Sequence, residues 1–502
     1  MKKIATVLLT ILIMTSISVP SYAAEQGNSQ LEEEIVYNIL VDRYHNLDFD
    51  RDEQVDTDDP TAYHGGDLKG ITQKLDYLKE NGYSTIVLSP IMENSADGYH
   101  GYWIEDFYKV EEQFGTMKDL NELIKEAHDR EIKVVLELVT NFVSKDHPIV
   151  KDPSKKDWIS KEKNIEADWA NHVAVLNQDN PKVRDFLFDV ASYWMDETDI
   201  DGFKLHAADK SSLDFLQKFT EQIKNKNEAF YLLGDIMDPS ANTDEIMNRT
   251  SIQAVDNHQL SKEINEVFSN LGKPVSDIYD TWEKNKEETG LIFVDDESTK
   301  RFTQKLSENG RSALTTWKLA LTYLYTTPGI PSVFQGSDIP MYGGNGEEAK
   351  RIVQFNSGDP DLNEFIDRIS ALKAQFPVLS HGDFEMVGSD GAMSVFKRTY
   401  EGTSMYIAIN NDDQTRAISI ADVGEGLQLR GYLNDDTIRA NDNGEYKVGL
   451  ARESVEVYGV QPDTGYNWLF IGFVIGVFVL FAVAIFILSR KQKKREMAEN
   501  KR

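Results

Sequence analysis

Short β-branched runs alternate along most of this chain with longer segments whose apolar residues recur every three or four positions. The first pattern suits strands buried on both faces, and the second suits helices with one apolar stripe. Strands are predicted at 35–41, 84–88, 133–139, 202–206, 230–235, 251–255, 290–295 and 331–334. Helices are predicted between them, among others at 72–80, 117–130, 181–197, 213–224 and 311–325. Eight such units predict an α/β fold, a parallel (β/α)8 barrel with insertions over 24–375. The pattern changes after about Phe376. Short alternating strands punctuated by Asp390-Gly391, Glu401-Gly402 and Asn443-Gly444 predict an antiparallel β-sandwich over 376–460.

The two ends have a different texture. Residues 1–23 read as a signal peptide: Lys2 and Lys3, an apolar run around Val7 to Met14, then Ser21-Tyr22-Ala23 as a small-x-small cleavage site. After a linker at 461–467, residues 468–488 carry no charge and, as a helix, span roughly 30 Å. Tyr466 and Trp468 stand at its start, and Arg490, Lys491, Lys493, Lys494 and Arg495 follow it. A single transmembrane helix is expected, with the ectodomain extracellular and the tail at 489–502 cytoplasmic. The formal charge of −31 and the lack of a basic patch before the helix argue against nucleic acid as a partner. With no cysteine, disulfides and thiolate metal sites are excluded.

Many short motifs follow one another in a telling order. They include Val41-Asp42-Arg43-Tyr44, Tyr63-His64-Gly65-Gly66-Asp67, Gly98-Tyr99-His100-Gly101-Tyr102-Trp103, Phe114-Gly115-Thr116, Asp201-Gly202-Phe203-Lys204 and Thr327-Pro328-Gly329-Ile330-Pro331. Together they resemble glycoside hydrolase family 13, the α-amylase family, over nearly all of the ectodomain. The resemblance implies a TIM barrel, a loop domain inserted after the third strand and a C-terminal β-sandwich. The inserted domain, at about 142–177, is too short for an elaborate calcium-binding lobe.

The resemblance also implies three catalytic carboxylates at strand ends, and here this sequence departs from the family. The fourth-strand motif places His206 at the nucleophile, and an imidazole is a poor stand-in for an anion. Lys204 replaces the arginine that would orient that anion. Asp235 holds the acid/base position, one methylene shorter than glutamate. Ser298 aligns with the third carboxylate and Glu297 with the adjacent histidine. Asp256-Asn257-His258-Gln259 mimics that motif but falls one βα unit too early. Tyr102, a candidate sugar-stacking platform, His100, Lys204 and Asn141 are implied as substrate-binding residues, while Phe142 replaces a sugar-binding histidine.

Two cation sites are suggested. Asn46, Asp48, Asp52 and Asp67, with Asp50 beside them, resemble the N-terminal calcium loop of some family members, although Arg51 stands where an oxygen ligand is offered. Alternatively they form a solvated acidic loop. His206, Asp235, Glu297 and Glu137 are also of the type that binds zinc or manganese if they converge, although drift in a disused site scatters polar residues in the same way.

The expectation from sequence is a non-catalytic ectodomain at the cell surface that binds a glycan, or a membrane or cell-surface protein. The alternative is an active membrane-bound α-glucan hydrolase or transglycosylase with a rearranged site. It would need Asp209, Asp295, Asp296 or Glu297 to supply the missing anions.

Overall fold

The computed structural model describes residues 30–161, 171–286, 290–463, 465 and 468–499. The expected signal peptide at 1–23 and Tyr466 lie outside these residues. Eight parallel strands form one sheet: β1 (Val36–Ile39), β2 (Thr85–Leu88), β3 (Lys133–Val139), β4 (Gly202–His206), β5 (Tyr231–Gly234), β6 (Ala254–Val255), β7 (Leu291–Ile292) and β8 (Ile330–Phe334). Their order in the sheet runs β6-β5-β4-β3-β2-β1-β8-β7. A bridge between Asp256 and Leu291, with the Asn257 amide donating to the Leu291 carbonyl at 2.9 Å, joins the two ends and closes the barrel.

Each predicted strand is present, most of them trimmed at the ends. β3 and β4 keep their predicted bounds. β6 and β7 shrink to two residues each, β6 losing 251–253 at its start and β7 losing Gly290 at its start and 293–295 at its end. The interior is filled by Val36, Val87, Val135, Leu233, Ala254, Leu291 and Ile330, contributed by seven of the eight strands, with Leu31 and Tyr231 beside them. Gly202 opens β4 because a Cβ there would meet Tyr231 at 2.7 Å.

Helices surround this sheet. Met117–His128 starts with a reciprocal capping box between Thr116 and Asp119. Pro181–Glu197 starts with Pro181 behind the Asn180 cap, as its sequence predicts. The segment predicted as one helix at 72–80 is instead two short helices, Leu68–Gln73 and Leu75–Glu80, that meet at Lys74. In the inserted segment, Phe142–Ser144 pairs antiparallel with Val173–Val175.

The C-terminal module contains β9 (Asp383–Asp390), β10 (Met393–Tyr400), β11 (Thr403–Asn410), β12 (Arg416–Ile420), β13 (Leu427–Gly431), β14 (Thr437–Arg439), β15 (Tyr446–Leu450) and β16 (Ser454–Pro462). Six of them form the antiparallel sheet β9-β10-β11-β16-β13-β14, and β12 pairs with β15. Their shared core includes Val395, Tyr406, Ile418, Leu429, Val448 and Tyr458. Arg311 ties the module to the barrel, donating to the Phe268 carbonyl, the Asn411 side chain and Glu453. The chain continues into one helix, Trp468–Glu499, whose Leu469–Lys493 stretch is long and apolar enough to cross a bilayer.

Candidate active site

Catalysis in this fold belongs at the C-terminal ends of the strands. There a cavity of about 1390 Å³ opens, lined among others by His100, Tyr102, Glu137, Asn141, Lys204, His206, Asp235, Asp256 and Glu297. Strand register fixes much of this set. Glu137 on β3 lies opposite Lys204 on β4, and Val139 lies opposite His206 at the strand end. Asp235 follows β5, Asp256 follows β6, and Glu297 lies five residues beyond β7.

A continuous line of hydrogen bonds crosses the mouth. His206 Nδ1 lies 2.7 Å from Glu137 Oε1 and 3.1 Å from Asp235 Oδ2. The Tyr102 hydroxyl lies 3.1 Å from Glu137 Oε2 and 2.9 Å from Glu297 Oε1. The tyrosine ring also packs over His206, with centroids 4.5 Å apart. A phenol has one proton to give and here meets two carboxyls. Both contacts are hydrogen bonds only if one carboxyl carries a proton of its own.

The electrostatics identify that carboxyl. Burial pushes Glu297 up to about 7, and the neighbouring Glu137 and Asp235 reinforce the shift. Asp235 is the opposite case. Burial would raise it, but the His206 hydrogen bond, the charges of His206 and Lys204 and the Ala207 amide outweigh that and hold it well below the usual carboxylate range. For His206 too, burial opposes charge, yet Asp235 and Glu137 overcome it and push the imidazole up to about 10. At neutral pH the site therefore holds an imidazolium, an ionised aspartate and a carboxyl poised near its midpoint.

The backbone helps to set this arrangement. Ala207 sits in the left-handed region at φ 47°, costly for a residue with a Cβ. That conformation aims its N–H at Asp235 Oδ2, 3.0 Å away. Asn141 holds the turn by donating to the carbonyls of His206 and Ala207 at 3.3 and 3.1 Å.

The other sequence-read residues are placed as follows. Lys204 pairs with Asp256 at 2.9 Å across the cavity floor, so the residue taken for a misplaced motif is its counter-ion. Burial outweighs Lys204 and pushes Asp256 up to about 6. His100 accepts from the Tyr102 amide at 3.1 Å, and burial holds its imidazole well below the usual range. Ser298 is exposed, and its hydroxyl donates to Asp296 at 2.8 Å rather than facing Asp235. The ring of Phe142 packs edge-on against His206.

Of the four carboxyls named as substitutes, three are committed to holding loops. Asp209 accepts from the Met237 and Asp238 amides and pairs with Lys210. Asp295 accepts from Phe302 and Ser337. Asp296 accepts from Ser298 and Thr299. Glu297 is the one that reaches the central line of hydrogen bonds. Glu137 was legible as a polar residue on β3, but its pairing with both His206 and Tyr102 depends on a register that motif reading does not provide.

The loop read for calcium does gather its residues. The Asn46 amide donates to both oxygens of Asp52, and Asp67 accepts the amides of Leu47, Asp48 and Gly70. Asp48 pairs with Lys69 at 2.7 Å and Arg51 at 3.0 Å. Asn46 Oδ1 is buried with no hydrogen-bond partner among the described residues, beside the positive-φ turn at Gly65. An orphaned oxygen next to a carboxylate fits a hard cation.

Residues 38–172 and 168–367 match the family model described as α-amylase, catalytic domain, and residues 382–458 match the α-amylase C-terminal domain. The fold superposes on the crystal structure of an Anoxybacillus α-amylase with a TM-score of 0.83 and 39% identity, covering 87% of this chain and 99% of that one. A β/α-amylase from Paenibacillus polymyxa is 29% identical over 465 residues, which are 86% of this chain and 38% of that longer protein. A cyclomaltodextrinase from Thermoanaerobacter pseudethanolicus is 27% identical over 420 residues, covering 78% of this chain and 72% of that one.

These relatives are named as enzymes, and that overturns the expectation of a non-catalytic binding protein. The expectation counted each replaced carboxylate as a loss. In the structure Glu137 on β3 and Glu297 beyond β7 reach the same space from separate strands and join Asp235 through Tyr102 and His206. With its barrel and its C-terminal module each matched, this chain belongs to the α-amylase family.

Proposed function

We propose that this chain is an α-glucan hydrolase or transglycosylase whose catalytic carboxyls are redistributed around His206. The observation that carries this reading is the unbroken line Glu297–Tyr102–Glu137–His206–Asp235 across a cavity large enough for several sugar rings. Cleavage of a glycosidic bond needs a proton donor for the leaving oxygen and an anion for the oxocarbenium-like centre. Glu297 is suited to the first task, because burial keeps it partly protonated at neutral pH. Asp235 is suited to the second, because His206 and the Ala207 amide hold it ionised.

In the reaction the carbon–oxygen bond breaks as Glu297 protonates the departing sugar. Water, or a sugar hydroxyl in transglycosylation, then takes the vacant carbon and gives up a proton that restores Glu297. Tyr102 and Glu137 position the acid, and His206 positions Asp235. Calcium belongs to this reading as a loop stabiliser. Asn46, Asp48, Asp52 and Asp67 would hold it, with no part in the chemistry.

The place of action is part of the same proposal. The Leu469–Lys493 span, with its uncharged run ending at Leu488, the basic cluster from Arg490 to Arg495 and the acidic charge before it support a single span with the barrel outside. The test uses the full chain in detergent micelles with maltoheptaose and a cyclomaltodextrin, followed by oligosaccharide chromatography. Shorter or redistributed oligosaccharides are expected from the native chain and none from Glu297→Gln. Intact substrates with the native chain would contradict the proposal.

A further inference from the structure

Glu137 Oε1, His206 Nδ1 and Asp235 Oδ2 offer one nitrogen and two oxygens, all within 4.8 Å of one another. Ligands at about 2.0–2.2 Å from one zinc ion lie roughly 3.3–4.4 Å apart, so the two hydrogen-bonded contacts to the imidazole would open slightly as an ion replaces the proton between them. Both carboxylates turn to the same ring nitrogen, at 2.7 and 3.1 Å. A single Nδ1 proton serves both, and Lys204, whose charge also bears on Asp235, is paired with Asp256 at 2.9 Å. Two carboxylates therefore meet one imidazolium at the point where the ligand atoms converge. A second observation lies beside it. Asn141 lines the same cavity and is bonded to the His206 carbonyl through its amide nitrogen. Its Oδ1 is buried with no hydrogen-bond partner among the described residues.

We propose that Glu137, His206 and Asp235 form a site for a borderline divalent transition cation, zinc above all, at the floor of the barrel mouth. The donor set decides the class. An imidazole nitrogen favours zinc over calcium or magnesium, which take oxygen ligands. Three protein ligands on the wall of an open cavity leave a fourth position for water or a sugar hydroxyl. Binding replaces the Nδ1 proton, which passes to solvent. The site is distinct from the N-terminal loop, where every side-chain ligand offers oxygen. It also stands apart from the glycosidase reading, because it concerns what binds and not what reacts. A zinc ion here occupies Asp235, so glycan turnover belongs in zinc-free buffer.

The test is zinc titration of the full chain in detergent by isothermal calorimetry, repeated with cobalt and followed by visible absorption. The expected result is one saturable zinc site per chain and cobalt d–d bands that zinc abolishes. His206→Gln and Glu137→Gln, each confirmed folded by its thermal transition, weaken zinc by at least about tenfold. Asp238→Asn, at the cavity rim outside the trio, leaves affinity unchanged. No saturable binding would overturn the proposal. So would binding that survives both trio variants, or binding that Asp238→Asn weakens equally. Because these are binding readouts, they report on the site even if no glycan is ever cleaved.

Discussion

The two ends of the barrel use the same kinds of residue for different purposes. At the base, Glu34 is buried and accepts from Thr85 at 2.8 Å, Tyr231 at 3.1 Å, Lys133 at 2.5 Å and the Ser84 hydroxyl. Those partners open β2, β3 and β5, so one carboxylate staples the strand starts above the plug formed by Leu31. Every bond has its own donor. At the mouth, Glu137, Asp235 and Glu297 share two side-chain donors, Tyr102 and His206, and open onto a large cavity. A saturated carboxylate is fixed in one state. Carboxyls that compete for protons shift their pKa values, and the sharing in this chain falls at the face where barrels carry chemistry.

This contrast is broken most severely at the mouth. Tyr102→Phe removes the hydroxyl between Glu137 and Glu297 and should lower kcat by about 10²–10³-fold, in the range measured for loss of a hydrogen-bond donor in an active site. The thermal midpoint should move little, because the ring and its packing over His206 remain. Glu34→Ala is the converse experiment. It strands Lys133 and Tyr231 at the base and should cost about 2–3 kcal/mol in chemical denaturation. The kcat of the molecules that fold should stay unchanged. If Glu34→Ala abolished turnover while Tyr102→Phe only destabilised, the division between the two ends would be wrong.

A pH profile sharpens the contrast. Glu297 must be protonated to act as the acid, and its folded pKa is raised to about 7. The rate should therefore be full below that value and fall about tenfold per pH unit above it. A profile flat to pH 9 would remove Glu297 from the role. The smallest effect belongs to the N-terminal loop. Calcium should raise the thermal midpoint by a few degrees, on the order of 1 kcal/mol, through preferential binding to the folded chain. Asn46→Ala should erase the increment.

Much of the fold is written in the hydrophobic pattern, because parallel strands buried on both faces leave unmistakable apolar runs, as in Lys133–Val139. The single helix predicted at 72–80 was wrong because Leu68 and Ile71 carry the apolar stripe upstream, where the polar loop motif masks it. The site was legible in part. His206, Lys204 and Asp235 were readable as departures, since they sit in motifs with fixed spacing. Their partners were not. Asp256 meets Lys204 across two strands, and Glu297 meets Glu137 through Tyr102, contacts set by register and loop path. Reading position by position finds the replacements and names Glu297 among four candidate substitutes, but only the register and loop path single it out.

The most direct test compares the native chain with Asp235→Asn in zinc-free buffer, on an aryl α-maltooligosaccharide whose leaving group reports each turnover. Catalysis by the mouth carboxyls predicts measurable release by the native chain and a fall of about 10²–10⁴-fold in the variant, with an unchanged thermal transition. Equal rates in both proteins, or no release from either, would contradict it.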